Sequence, residues 1–319
     1  MARGRPPRLF LPPGGGIVLP EVAKGLRMPG STIANAGAGR IGAGAVALAF
    51  AALVLAGCAT LGNPPAAENN DPAYATAAPN LTSLSEVIEK HPNDPQAYNM
   101  RGSVFGEAGH NEQALADFNK AIGLDPNYTQ AYANRGLVYR KTNKLDLALA
   151  DYDKALSLDG GYATAYVGRG MVESQQGKSA QALADFNKAI ALKPDNAEAY
   201  YSRGLLYQSQ HQHQFAIDDF STALGLTTQR TDLFIARGLS YLAVGDNKSA
   251  ASDLDEAVQA DPTSAKAWAS RGLAYERLGL KEKAAGSYAK ALNINDKYQP
   301  AQTGFARVGG RAGQTYQTF

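Results

Sequence analysis

The dipeptide Arg-Gly recurs six times at an unbroken spacing of 34 residues, at 101–102, 135–136, 169–170, 203–204, 237–238 and 271–272. A fixed period of this length, without insertion, means one supersecondary unit copied in series, each copy burying its apolar face only by stacking on its neighbours. With the first unit starting at Pro95, further columns fall into line. Position 4 is aromatic throughout: Tyr98, Tyr132, Tyr166, Tyr200, Phe234 and Trp268. Position 11 carries Phe105, Tyr139, Glu173, Tyr207, Tyr241 and Tyr275. Position 20 is always alanine, from Ala114 to Ala284, and so is position 27, from Ala121 to Ala291. Between them position 24 holds Phe118, Tyr152, Phe186, Phe220, Leu254 and Tyr288. Positions 4, 8 and 11 share one helical face, and positions 20, 24 and 27 share another. Each unit therefore reads as two antiparallel helices, with glycine and alanine at the contact to let the axes approach to about 8–10 Å. Gly109, Gly177, Gly245 and Gly279 mark the turn between them.

This order of aromatic, Gly, aromatic, Ala, aromatic and closing Pro resembles the tetratricopeptide repeat family over residues 95–298. The units are 95–128, 129–162, 163–196, 197–230, 231–264 and 265–298. The sequence departs from the pattern with Arg before the Gly, with Glu173 for an aromatic, and with Gly160, Thr228 and Asp296 for the closing Pro. The resemblance implies an all-α fold, a right-handed α-solenoid with a concave groove. Residues 81–94 read as an N-terminal half-repeat with Leu84, Val87 and Ile88 inward. Residues 299–308 read as a C-terminal solvating helix with Phe305 inward, and 309–319 as a disordered tail.

Ahead of the repeats, Ile41 to Gly57 is uncharged, Arg40 flanks it, and it ends Leu55-Ala56-Gly57-Cys58. A basic flank, a short apolar core and small residues at the end describe a secretory signal peptide. The ending resembles a bacterial lipobox, whose cysteine is acylated, and Cys58 is the one cysteine of the chain. Residues 1–27 are rich in Pro, Gly and Arg and read as disordered or untranslated. A start at Met28 gives a lipoprotein signal peptide over 28–57. Residues 58–80 are then the acylated cysteine and a tether, spanning ~25 Å as a flexible coil. Ala59 after the cysteine, by resemblance to enterobacterial sorting, implies the outer membrane, with the solenoid facing the periplasm.

Charge and chemistry narrow the function. The net charge is +2, and loss of residues 1–58, with six basic residues and one acidic, leaves a mildly acidic protein. That argues against a nucleic-acid partner. One cysteine excludes an internal disulfide and a cysteine-based metal cluster. His211 and His213 share a turn with no third ligand, so no metal site is expected. No P-loop, HExxH or G-x-S-x-G motif occurs, so neither a cofactor nor enzymatic activity is expected. The Arg column (Arg101, Arg135, Arg169, Arg203, Arg237, Arg271) faces an Asp column (Asp117, Asp151, Asp185, Asp219, Asp253), with Ser287 in the sixth unit. These read as architectural ion pairs within or between units.

Positions 5 and 9 of the first helices are the candidate partner-binding groove: Asn99, Ala133, Leu137, Val167, Met171, Tyr201, Leu205, Ile235, Leu239 and Leu273, with Asn134 as a further polar handle. Some of these are core in the alternative reading. Arg140, Lys141, Glu276 and Arg277 stand at the edges. Some family members clamp a partner's C-terminal carboxylate with Lys and Asn from three units. Here Asn134 matches one such position, but Asn99, Ser103, Thr164 and Gly168 hold the others, so that clamp is not expected. The expected role is a protein-interaction scaffold for cell-envelope partners, similar to the NlpI-type envelope lipoproteins that gather peptidoglycan-processing enzymes. The alternative is a pilus or secretin assembly lipoprotein, similar to the Tad-type and pilotin families.

Overall fold

The computed structural model describes residues 78–227, 230–311 and 316; the expected signal peptide over 28–57, Cys58 and residues 1–27 and 59–77 lie outside them. The described residues form fourteen α-helices and no strand. Helix α1 is Ala78–Lys90. Six pairs follow: α2 Pro95–Glu107 with α3 Asn111–Leu124, α4 Thr129–Lys141 with α5 Leu145–Leu158, and α6 Ala163–Gln175 with α7 Ser179–Leu192. The remaining pairs are α8 Ala197–Ser209 with α9 His213–Leu226, α10 Thr231–Val244 with α11 Asn247–Ala260, and α12 Ala265–Arg277 with α13 Lys281–Ile294. Helix α14, Gln299–Arg307, closes the array.

Each helix starts and stops for local reasons. Asp94 accepts from the Gln96 amide ahead of α2, with Pro95 at the first helical position. Asn196, Asp246 and Ser264 cap α8, α11 and α12 in the same way. Between units, Asp125, Asp159, Asp261 and Asn295 each accept from the amide two residues on, turning the chain into the next first helix. Within units the turn needs a residue at positive φ. Gly109, Gly177, Gly245 and Gly279 supply it, while Asn143 and His211 take φ of 58° and 59° in the second and fourth units.

The pairs pack through the columns read from sequence. Ala114, Ala148, Ala182, Ala216, Ala250 and Ala284 are fully buried, as are the alanines seven residues on. The position-24 side chain of each second helix lies on the glycine of its own first helix. A Cβ on Gly204 would stand 2.6 Å from Phe220, and one on Gly272 would stand 2.7 Å from Tyr288. Glycine is thus required by a ring lying on the backbone. The position-4 aromatics also anchor the preceding loop: Tyr98 and Tyr132 donate to the carbonyls of Pro92 and Pro126, and Trp268 Nε1 to that of Pro262 at 2.9 Å. Successive first helices touch one another, whereas second helices meet the next unit through its first helix. First helices therefore line the inner side of the array.

Three features at the ends differ from the sequence reading. Helix α1 begins at Ala78 rather than 81, because Pro79 sits in the first turn, where no intrahelical N–H is lost. In α1, Ile88 is buried and Leu84 half-buried, but Val87 is 40% exposed. It lies about 100° around the helix from Ile88, off the contact face. In the tail, the Tyr316 ring meets Phe305 at 5.6 Å and its hydroxyl accepts from the Arg311 amide; residues 312–315 and 317–319 lie outside the described residues.

Candidate functional site

The Arg and Asp columns come together first. Nε and Nη2 of Arg135 bond both oxygens of Asp151 at 2.8 and 2.6 Å, and Arg101, Arg169, Arg203 and Arg237 repeat this fork with Asp117, Asp185, Asp219 and Asp253. The hydrogen-bonded carboxylate raises each guanidinium above its ordinary pKa, against the opposing cost of burial. Nη1 reaches back to the previous second helix, to Ser85, Asn119, Asp153, Asn187 and Ser221 in turn. Each arginine therefore ties three helices, with partners 16 residues ahead and 16 behind. The aromatics at positions 4 and 11 flank it, with Arg135 lying 5.5 Å from the Tyr132 ring and 5.9 Å from the Tyr139 ring. In the sixth unit Ser287 replaces the aspartate, and Arg271 turns to Asp255 of the unit before at 2.6 Å. The column of backward acceptors was missed in the sequence. Its signal is a run of oxygen-bearing side chains at the same 34-residue period.

The groove candidates divide by position. Asn99, Ala133, Val167 and Ile235, at position 5, are buried between helices, and Tyr201 is half-buried. At position 9, Leu137 and Leu205 are exposed, and Met171, Leu239 and Leu273 are half-buried. Position 5 forms a floor and position 9 the surface above it, because inward-facing helices cross closely enough to cover only the first. Asn99, Asn134 and Ser103 meet in a polar cluster at the first junction, where Asn134 Nδ2 donates to Asn99 Oδ1 at 3.0 Å and to Ser103 Oγ at 3.3 Å. Leu273 packs against the core of the last two units.

Of the cavities on this inner face, two are sizeable. The larger, about 480 Å³, has Ala133 and Val167 as its floor, with Leu137, Met171, Asn134, Arg140 and Tyr152 around it. Burial pushes the Tyr152 phenol up to about 12, with Arg140 pulling the other way. The second, about 270 Å³, gathers Tyr201, Leu205, Ile235 and Leu239, with Asp232, Asp261 and Lys266 at its rim. There Arg230 stacks 4.7 Å from the Tyr201 ring and bonds Glu198 and Asp232. Gln208 Nε2 closes the wall, donating to the Ala236 carbonyl and to Ser240 Oγ. An apolar floor with a few fixed polar groups suits a peptide side chain. The rings of His211 and His213 lie 5.9 Å apart, and among the described residues no group of three or more His, Cys, Asp or Glu is placed to hold a metal ion. Among the described residues, no helix is long and apolar enough to cross a membrane.

Comparison with known proteins agrees with this construction. A family model described as TPR repeat matches residues 102–142 and 170–210. Models described as tetratricopeptide repeat match 235–300 and 129–162. Together they cover more than half of the chain. No curated protein matches. Among solved structures, the APC/C hetero-tetramer Cut9-Hcn1 aligns with a TM-score of 0.67 at 17% identity, over 74% of this chain and 47% of that one, so this chain spans about half its length. The pilF protein of Pseudomonas aeruginosa aligns with a TM-score of 0.60 at 20% identity, over 67% of this chain and 97% of that one. PilW, described as a widely conserved type IV pilus biogenesis factor, aligns with a TM-score of 0.60 at 19% identity, over 66% and 97%. At these identities the likeness is one of fold. Period, glycine contacts and family matches together make this chain a member of the tetratricopeptide repeat family, an all-α solenoid of the kind that serves as a protein-interaction scaffold.

Proposed function

We propose that the protein is a lipid-anchored adaptor of the bacterial cell envelope, held by an acylated Cys58 and presenting the inner face of its solenoid to periplasmic proteins. The observation that carries this is the position of Cys58, the one cysteine in 319 residues, directly after an uncharged run ending Leu55-Ala56-Gly57. Three acyl chains hold a protein firmly, since each buried methylene contributes ~0.8 kcal/mol. The tether then lets the solenoid search the space beside the membrane. Cys58→Ser is expected to release the protein from membranes or leave an uncleaved precursor. Unchanged fractionation and mass would remove the anchor from the reading.

The partners proposed are peptidoglycan-processing enzymes, with the solenoid bringing them together and adding no chemistry of its own. Pilus or secretin assembly is the second reading, favoured by the fold shared with PilW over 97% of that chain. Cross-linking of the tagged full chain in envelope preparations, beside a Leu205→Glu/Leu239→Glu variant, separates the two. Hydrolases recovered by the native groove alone support the first reading, and pilus or secretion subunits the second. Equal recovery by both proteins would take the inner face out of the contact.

A further inference from the structure

Two of the six second helices carry tyrosine at position 24, Tyr152 and Tyr288, where the others have Phe118, Phe186, Phe220 and Leu254. Sixteen residues after each tyrosine stands a glycine, Gly168 and Gly304. The equivalent residues after the other four are Asn134, Ser202, Ala236 and Ser270. A Cβ on either glycine would overlap the tyrosine ring. In both places the ring therefore runs beneath the next first helix and carries its hydroxyl toward the inner face.

What the hydroxyl meets differs. At the C-terminal junction Tyr288 donates to Glu276 Oε2 at 2.7 Å, and Arg307 bonds the two oxygens of that carboxylate at 2.6 and 2.8 Å. A phenol and a guanidinium converge on one acid. Glu276 is at position 12 of its unit, and Arg307 is at the position-9 equivalent of α14. At the earlier junction position 12 is Arg140 and position 9 is Met171. The guanidinium is again beside the phenol, but the acid is missing. Arg140 forms no ion pair among the described residues, and its Nε is buried without a hydrogen-bond partner. The pair opens into the cavity of about 480 Å³. The guanidinium hydrogen-bonds the Tyr152 phenol, which leaves the phenol O–H and the remaining guanidinium N–H groups to donate, and a carboxylate accepts from both.

We propose that this cavity takes an acidic side chain from an extended segment of a partner protein, its carboxylate bound between Arg140 and Tyr152 and a neighbouring apolar residue lying on Leu137 and Met171. The group in the equivalent place is itself a side-chain carboxylate, that of Glu276. The cavity runs on past Val167 to Lys193, Asp195 and Glu198, the last paired with Arg230, so a chain passes through rather than ending in it. The inference rests on the scaffold reading and not on the lipid anchor, which the fractionation of Cys58→Ser tests separately.

The test is selection on the immobilised full chain from a phage library of random 12-residue segments fused at their C-terminus, so that no free carboxylate is offered. Affinities of the selected peptides, synthesised with blocked ends, are then measured by fluorescence polarisation. Selected segments are expected to share an Asp or Glu beside an apolar residue and to weaken at least tenfold when the acid becomes its amide. Arg140→Gln should weaken binding about tenfold. Tyr152→Phe, which matches the residue of three other units, should weaken it a few-fold without loss of fold. The double variant Arg140→Glu/Met171→Arg rebuilds the C-terminal arrangement within the chain, and should abolish binding with melting unchanged. Should it not fold, the two single variants decide. Selection of nothing, selection without an acid, or undiminished binding by folded variants would overturn the site. Selected peptides that bind only when resynthesised with a free C-terminus would overturn the side-chain assignment.

Discussion

The two ends of the array are closed by different means. At the first unit, α1 offers Arg101 a serine hydroxyl, Ser85, at 3.2 Å, and leaves Val87 and Met100 exposed. The buried cluster there is small, built on Ala114, Phe118 and Val138. At the last unit, α14 docks Ala301 and Phe305 onto a core that runs without a break through the fifth and sixth units, and Arg307 pins it through Glu276. In a one-dimensional array stability is a sum over units and their interfaces. Among the described interfaces the first is the poorer, so opening is expected to begin at α1 and α2 and to reach α12 to α14 last.

The largest test of this contrast removes an arginine at each end. Arg101→Leu strands Asp117, 6% exposed, and should cost about 3 kcal/mol. Arg271→Leu takes one donor from Asp255, whose side chain is 36% exposed and keeps the Tyr275 hydroxyl, and should cost about 1 kcal/mol. Urea melts compare the two, and equal costs would erase the proposed difference. Next, Gly102→Val and Gly272→Val force the same ring contact, 2.8 and 2.7 Å from a Cβ, and each should cost about 2 kcal/mol. Hydrogen exchange should localise the first to α1–α3, while the second lowers protection through both C-terminal units together. A local effect at Gly272 would show that the C-terminal core is not one cooperative unit.

A smaller test removes the clip alone. Arg307→Leu should cost about 0.5–1 kcal/mol, because that side chain is half exposed, and should be read as faster exchange in α14. The smallest concerns the middle of the array, where Glu173 stands in an aromatic column. Burial, and then Asp185, raises its pKa above 4.5. Folding therefore disfavours its charged form. The penalty is full above the folded pKa, fades as pH falls through it, and is gone below the unfolded value. Glu173→Gln should add about 0.5 kcal/mol at pH 7 and nothing near pH 4, by thermal melts. A gain independent of pH would assign the effect to packing instead.

The helix pairs, their contact face and the forward Arg–Asp forks were legible because one residue type recurs in every copy. The backward acceptors were not, since Ser85, Asn119, Asp153, Asn187, Ser221 and Asp255 share an oxygen but no identity. The inner face of the first helices was legible as a face and not as a depth. Positions 5 and 9 lie four residues apart on one side, yet Val167 is covered by the neighbouring helix and Leu205 is not. The open junction at Tyr152 was written in the chain as a Tyr–Gly pair 16 residues apart. It differs from its closed counterpart at Tyr288 in the side chains at positions 9 and 12, Met171 and Arg140 against Arg307 and Glu276.

The three-way arginine also bears on how such a chain lengthens. Each interior unit brings an aspartate for its own arginine and an oxygen acceptor for the arginine of the next. Copying or excising a whole 34-residue block therefore leaves every buried carboxylate matched. An insertion of any other length inside the array would leave an acid facing nothing. The sixth unit stands outside this exchange. With Ser287 in place of the aspartate, its arginine leans on Asp255, so moved behind a unit ending in Asn or Ser it would have no acid to meet. The array is free to grow from its interior, with its last unit fixed as a terminus.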